Sequence, residues 1–285
     1  MITKYPPLLV TDADKIIKPK IDYIKFLGFC GAKLVKFLLA NPYILNYSLE
    51  KRIIPNVAFL KGIVTTDKDI TTLLSRSSWV LTRNVEKLMT PNIALLRDNG
   101  VPESFIKKIV VLKATALAIA PDQFKEIVEE TKKMKFDPLQ FSFVKGVAVL
   151  SQLSEVSWET KISIFKKFGW SEEVFYMTFR KFPVLMEISA KKASHILEFL
   201  VNKMGYDPLV IAKCPLILSY SLDKRIIPRC LVIELLISNC LIGKDCNLNA
   251  VLAYSEKDFV EKFVTKFQGR IPKVLDVYED KVKGF

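Results

Sequence analysis

Features that would support catalysis or metal binding are scarce in this chain of 285 residues. It has one histidine, His195, and ten glycines, and neither a glycine-rich phosphate loop nor a metal-ligand spacing occurs. Its five cysteines are odd in number and form no C-x-x-C pair, which argues against a disulfide framework or a cysteine zinc site and favours a reducing compartment. We therefore expect a protein that is not an enzyme and that carries no metal ion or other cofactor.

Long hydrophobic runs are also missing. The longest apolar stretch, at 231–242, contains a charge and falls short of the roughly 18–20 residues that a membrane-spanning helix needs. The first residues resemble neither a secretory signal peptide nor an Arg/Ser-rich, acid-poor transit peptide. We expect no membrane association, and we expect any targeting peptide to lie outside this sequence.

Basic residues are in clear excess. The chain has 43 Lys and Arg against 30 Asp and Glu, a net charge of +13 and a pI near 9.4. This charge indicates a polyanionic partner, nucleic acid first and an acidic membrane surface second, although charge alone also fits a protein that is merely basic. Half of the residues are apolar, which is enough for an extended core and argues against disorder.

A sixteen-residue segment occurs twice. Residues 41–56, NPYILNYSLEKRIIPN, return at 214–229 as CPLILSYSLDKRIIPR, with eleven identical positions. We call the first proline of this motif the anchor, number other positions by their offset from it, and find weaker copies along the whole chain. The anchors of repeats 1 to 8 lie at residues 6, 42, 78, 114, 147, 183, 215 and 249. Their spacings of 32–36 residues are typical of solenoids built from helical pairs.

Each repeat is predicted to contain two helices. Apolar residues recur at helical spacing before the anchor, and the anchor proline ends this leading helix because the residue before a proline avoids the α region. Position +6 is Ser, Asp or Asn in six repeats, as expected where a side chain caps the second helix. These six residues are Asp12, Ser48, Asn84, Ser189, Ser221 and Ser255.

Two further signals shape the second helix. A proline at +13 is expected to kink it or to divide it into a short leading turn and a main helix. Turn residues are expected to end it in most repeats. They are Gly28, Gly62, Gly100, Asp137-Pro138, Gly169 and Gly205.

The fold class that follows is all-α, an α-solenoid of about eight helical repeats over residues 1–268. Residues 269–285, rich in Lys and in Asp or Glu, are predicted to form a polar carboxy-terminal cap or tail. Residues 1–5 are expected to fray, and 244–249 is the best candidate for a looser segment. Ala114, Val147 and Asn249 replace the anchor proline, so these repeats are expected to be less regular.

The motif P-x-[IL]-L-x-[YS]-S-L-[ED]-K-R-x-x-P, followed by an apolar pair and a turn glycine, resembles the repeat of the mitochondrial transcription termination factor (mTERF) family. FRKFPVLM at 179–186, FGWSEEVF at 168–175 and NKMGYDP at 202–208 are similar to its plant branch. The resemblance implies repeats of two α-helices and a short 3₁₀ turn, stacked into a curved superhelix with a basic concave side for nucleic acid. It also implies transcription termination, transcription initiation or intron splicing in the matrix of a chloroplast or mitochondrion.

Lysines and arginines lie inside the repeats, where stacking would align them as a stripe that faces phosphates. The candidate nucleic-acid-binding residues are Lys51, Arg52, Arg76, Arg83, Lys87, Lys113, Arg180, Lys181, Lys191, Lys224, Arg225 and Arg229. Phosphate contacts position a protein without reading base sequence. For the pairs at 51–52 and 224–225, solvated side chains or pairing with nearby carboxylates are equally good interpretations.

The expected partner is double-stranded DNA first and RNA second, bound by a monomer, with transcription or splicing proteins as further candidate partners. The alternative function is a helical-repeat scaffold that binds a protein. A continuous positive stripe would favour nucleic acid, whereas an apolar or mixed-charge groove would favour a protein.

Overall fold

The computed structural model of the chain describes residues 6–243 and 246–283. Every regular element in these ranges is helical and none is a strand, which confirms the all-α prediction. The chain divides into two compact units, Met1–Leu153 and Ser154–Phe285. The predicted frayed end at 1–5 and the first two residues of the predicted loose segment lie outside the described residues.

The first unit contains repeats 1 to 4 and the leading helix of repeat 5. Its leading helices are Gly31–Ala40, Asp67–Arg76, Glu103–Lys113 and Phe141–Leu150. Its second helices are Lys18–Phe26, Ile54–Ile63, Val85–Asp98 and Pro121–Lys133.

The second unit begins with the second helix of repeat 5, Glu155–Lys167. Its leading helices are Glu172–Lys181 and Pro208–Lys213, and in repeat 8 the helix Leu248–Ala253 lies where the other repeats have a 3₁₀ turn. Its other second helices start at Ala190–Leu197, Ile227–Ser238 and Glu256–Phe259. The first of these continues as a π-helical segment, Glu198–Lys203, and the last continues through Val260–Thr265 to Lys266–Gln268.

The anchor residues start the 3₁₀ turns. Before Pro42, Pro183 and Pro215 the backbone leaves the helix, with φ between −138° and −133°. The 3₁₀ turns are Pro6–Val10, Pro42–Asn46, Ser78–Leu81, Ala114–Leu117, Pro183–Glu187 and Pro215–Ser219.

Two of the three irregular anchors behave as predicted. The helix Phe141–Leu150 runs straight through Val147, because no proline ring there excludes the α conformation at the preceding residue. In repeat 8 an α-helix, Leu248–Ala253, starts one residue before Asn249 in place of a 3₁₀ turn. At Ala114 the expectation is wrong, since the 3₁₀ turn forms there without a proline.

The capping prediction is confirmed at all six +6 positions. The Ser48 hydroxyl accepts from the backbone N–H of Lys51 at 3.1 Å, and the Asn84 amide oxygen accepts from that of Lys87 at 3.2 Å. The other four side chains accept in the same way at the start of their own second helix. The second helices therefore start where the sequence places them.

The proline at +13 divides the second helix in repeats 1, 2 and 7, as one of the two predicted outcomes requires. A five-residue π-helical turn precedes an α-helix that starts one residue before the proline. In repeat 2 the N–H of Ile53 reaches back five residues to the Ser48 carbonyl at 3.1 Å. In repeat 3 the division is absent, because Pro91 lies inside the continuous helix Val85–Asp98.

The turn residues end the second helices in most of the predicted places. Gly28 and Gly100 have φ of +92° and +78°, values that suit glycine after a helix end. Gly62 does not end its helix, which continues to Ile63 and is followed by extended Val64. In repeat 4 the left-handed residue is Lys135, with φ of +63°, two residues before the predicted turn.

The helix Lys273–Lys283 closes the second unit. Its Val274 and Tyr278 are buried against the helix Ile227–Ser238, in one cluster with Val232 and Leu236. Part of the segment predicted as a cap or tail therefore packs on repeat 7.

Candidate nucleic-acid interface

Each repeat has two ends with different chemistry. We call one the turn edge: the last turn of the leading helix, the 3₁₀ turn and the first two turns of the second helix. The opposite end, where a second helix is joined to the next leading helix, is the linker edge. Within a unit neighbouring turn edges touch, since Ser78 donates its hydroxyl to Asn41 and Lys192 Nζ donates to the Ser219 carbonyl at 2.6 Å.

Eleven of the twelve predicted cations lie at the turn edge. In the first unit they are Lys51, Arg52, Arg76, Arg83, Lys87 and Lys113, and in the second unit they are Arg180, Lys181, Lys191, Lys224 and Arg225. The twelfth, Arg229, lies inside the second unit.

Seven of these cations are exposed. They are Lys51, Arg76, Arg83, Lys87, Lys181, Lys191 and Lys224. Across the described residues none of the seven has a carboxylate within ion-pair distance. The remaining turn-edge cations, Arg52, Lys113, Arg180 and Arg225, are half-buried. The exposed charges are therefore available to an external anion.

At the linker edge, several cations pair with carboxylates, while others such as Lys133 and Lys167 are exposed and have no ion pair among the described residues. Lys61 lies 3.0 Å from Asp67 and Lys166 lies 3.5 Å from Glu172, each pair joining a second helix to the next leading helix. Arg97 forms a forked pair with Glu103, and this hydrogen bonding lowers the pKa of the Glu103 carboxyl. Lys25 and Lys132 pair with acids within their own helices.

Helix dipoles divide the turn-edge cations into two groups. Arg76, Lys113, Arg180 and Lys181 lie in the last turns of leading helices, where a positive charge is favoured. That local stabilisation is a sufficient structural reason for their presence.

The cations in the first turns of second helices have no such reason. Lys51, Lys87 and Lys224 lie where the dipole disfavours a positive charge by about 0.3–1 kcal/mol. An acid one position earlier offsets this in their repeats, but repeat 6 has no acid in its first turn and carries Lys191 there.

A recess of about 560 Å³ lies at the turn edge between repeats 6 and 7. Lys191, Lys192 and His195 line one side of it, and Ser219 and Ser221 line the other. The sequence analysis noted Lys192 as a basic residue of the repeat but did not select His195. The signal available for His195 was its spacing of four residues from Lys191, which places both on one face of a helix.

The prediction that Arg229 contacts nucleic acid is corrected by its burial. Only 1% of this residue is exposed, its Nη1 donates to the carbonyls of Val251 and Tyr254 at 3.1 and 2.7 Å, and its Nη2 lies 3.0 Å from Glu256. The guanidinium thus binds carbonyls at the end of the helix Leu248–Ala253 in repeat 8, where the last carbonyls lack partners within the helix.

Arg225 has a related structural role. Its Nε donates to the Leu252 carbonyl at 3.0 Å, and the guanidinium lies 4.4 Å from the centre of the Tyr220 ring. It is half-buried, so only part of its surface faces solvent.

The described residues contain no group of three or more His, Cys, Asp or Glu side chains placed to hold a metal ion. In the same part of the chain, each helix is too short or too polar to span a bilayer.

The family model for mTERF proteins matches residues 1–142 and again 140–260. The chain belongs to the mTERF family. A search of curated proteins found no match. Membership identifies a helical-repeat protein of a family whose members bind nucleic acid and regulate organellar gene expression.

Proposed function

We propose that this mTERF protein binds double-stranded DNA along its turn edge and acts without catalysis in transcription termination or transcription regulation. We place it in the plant branch of the family, in a chloroplast or mitochondrion. The observation that carries the proposal is that seven exposed turn-edge cations have no ion pair among the described residues, whereas three linker-edge cations, Lys61, Arg97 and Lys166, each pair with a carboxylate of the next helix.

Phosphates are the natural partners for such cations. Each Lys or Arg that neutralises a phosphate releases condensed counterions, so that binding weakens steeply as salt rises. If four to seven turn-edge cations contact duplex phosphates, log K is expected to fall with log[salt] at a slope of roughly −4 to −6. Phosphate contacts give affinity and fix the register of the protein on the duplex, but they do not distinguish one base sequence from another.

The test is a binding titration with ligands of one sequence: a duplex DNA and a single-stranded RNA, each measured between 50 and 200 mM salt. We expect the duplex to bind more tightly and with the steeper slope. Tighter binding of the RNA would replace the DNA proposal with one in intron splicing or RNA processing. Salt-insensitive or absent binding to both ligands would reject a nucleic-acid function and favour the protein-binding scaffold.

A further inference from the structure

One repeat position makes the same kind of contact in five repeats. The residue at +14, directly after the +13 proline where that proline is present, donates from its side chain to a backbone carbonyl of the following repeat. The five donors are Lys20, Asn56, Asn92, Lys161 and Arg229.

The geometry is best seen in repeats 2 and 3. Asn56 Nδ2 lies 2.6 Å from the carbonyl oxygen of Arg83, and Asn92 Nδ2 lies 3.0 Å from those of both Leu117 and Ile119. In every case the acceptor lies two to five residues after the anchor of the next repeat. Carbonyls at the end of a short helical segment have no partner inside it, so the +14 donors supply one.

These contacts are shielded from water. Lys20, Asn56, Asn92 and Arg229 are 7%, 5%, 0% and 1% exposed, and Lys161 is half-buried. Burial lowers the pKa of both lysines. A polar side chain that is buried without a partner is strongly unfavourable, so each donor favours one position of the neighbouring repeat.

Two repeats depart from the pattern. Repeat 4 has Val128 at +14, and repeat 6 has Leu197 there. In repeat 6 the contact is replaced by Lys192, whose Nζ donates to the Ser219 carbonyl of repeat 7.

We infer that position +14 is an inter-repeat clasp, which fixes the 3₁₀ turn of the following repeat and so positions the cations of the turn edge. Asn56 is the most direct case, because its acceptor is the backbone of Arg83, an exposed turn-edge cation. Asn56 is thus a positioning residue that does not itself touch nucleic acid. The effect on binding rests on the proposed function, whereas the effect on the neighbouring repeat does not.

The experiment compares Asn56→Leu, which removes the donor at similar size, with Asn56→Lys, which introduces the donor that repeats 1 and 5 use. In Asn56→Leu we expect amide hydrogen exchange at Thr82 and Arg83, in the turn of repeat 3, to accelerate about tenfold or more. We expect DNA affinity to fall about 2- to 10-fold, because the Arg83 side chain would no longer be held in place before binding and would have to be ordered on binding. The salt slope should stay unchanged because no phosphate contact is lost. Asn56→Lys should restore both readouts towards the wild-type values.

Asn239→Leu is the matched control, because Asn239 is exposed and its side chain donates to the Leu235 carbonyl of its own helix rather than to another repeat. It should leave exchange in repeat 3 unaltered. Acceleration confined to Ile54–Ile63 in Asn56→Leu would overturn the clasp, even if the wild-type chain binds no nucleic acid. Faster exchange at Thr82 and Arg83 with unchanged affinity would overturn the positioning role.

If Asn56→Leu does not fold, Lys161→Met repeats the test in a half-buried site, and the 3₁₀ turn Pro183–Glu187 is then the segment in which hydrogen exchange is measured.

Discussion

At the linker edge, Lys61 and Lys166 lie within 3.5 Å of carboxylates, whereas Lys51 and Lys224 at the turn edge are exposed and without an ion pair in the described structure. Both edges are rich in cations, so composition does not distinguish them. Three ion pairs join a second helix to the next leading helix at the linker edge, and among the described residues the seven exposed turn-edge cations take part in none. The placement of carboxylates around the cations therefore adds information that net charge does not contain.

Arg229 and Lys224 both lie in the second helix of repeat 7, but Arg229 is buried and Lys224 is exposed. Replacing Arg229 has the largest expected effect on stability. Arg229→Ala should lower the free energy of unfolding by about 2–4 kcal/mol, since it empties a buried site and leaves the Val251 carbonyl without its side-chain donor. Lys224→Ala should change stability by no more than about 0.5 kcal/mol. Urea denaturation of both variants measures the change in the free energy of unfolding. Equal stabilities would show that the buried contacts of Arg229 do not hold the second unit together.

Lys87 tests whether a single exposed turn-edge cation contacts phosphate. Lys87→Ala should weaken duplex binding to all sequences about equally and make the salt slope shallower by about 0.9. Lys133→Ala, at the linker edge, is the matched control and should leave the slope unchanged. Titrations over a range of salt concentrations, with two unrelated duplexes, give both quantities. Sequence-dependent loss in the Lys87 variant would indicate base contact and contradict a phosphate role.

Tyr278 tests the packing that closes the second unit. Burial and a hydrogen bond to Glu256 raise the pKa of Tyr278 to about 12. The folded state therefore keeps this proton between pH 10 and 12 while the unfolded state loses it, so stability should fall as pH rises through that interval. Tyr278→Phe should flatten this part of the profile and lower stability at neutral pH by about 1 kcal/mol. Denaturation measured from pH 8 to 12 tests the difference, and identical profiles would contradict it.

Glu103 gives the smallest expected effect and tests the linker edge. Its pKa is lowered by Arg97, so the stability it contributes is present above its unfolded pKa and is lost as pH falls through the lower folded value. Because both side chains are about half exposed, the loss in Glu103→Gln should stay below about 1 kcal/mol. Stability measured from pH 3 to 7 should show a weaker acid dependence than wild type, with DNA affinity unaffected.

The sequence predicts those parts of the fold that depend on local chemistry. All six +6 caps are correct, because the capping side chain and the backbone N–H groups that donate to it lie within three residues. The helix through Val147 follows equally from a missing proline. The burial of Arg229 could not be predicted from local sequence, because its partners are carbonyls more than twenty residues away. The clasp at +14 was also missed, because its acceptors lie in the next repeat. In addition, Lys, Asn and Arg are different residue types, and what they share at this position is that each donates a hydrogen bond.

Charge reversal at the two edges tests the central claim most directly. One variant carries Lys51→Glu, Lys87→Glu, Lys191→Glu and Lys224→Glu, and the control carries Lys68→Glu, Lys133→Glu, Lys167→Glu and Lys203→Glu, all exposed residues at the linker edge. Net charge changes equally in both, so any difference in duplex affinity reports on position. We predict that the turn-edge variant loses at least about 100-fold in affinity and that its salt slope becomes shallower by about 3.6, while the control loses less than about 5-fold. Equal losses in the two variants would contradict the assignment of the turn edge as the nucleic-acid interface.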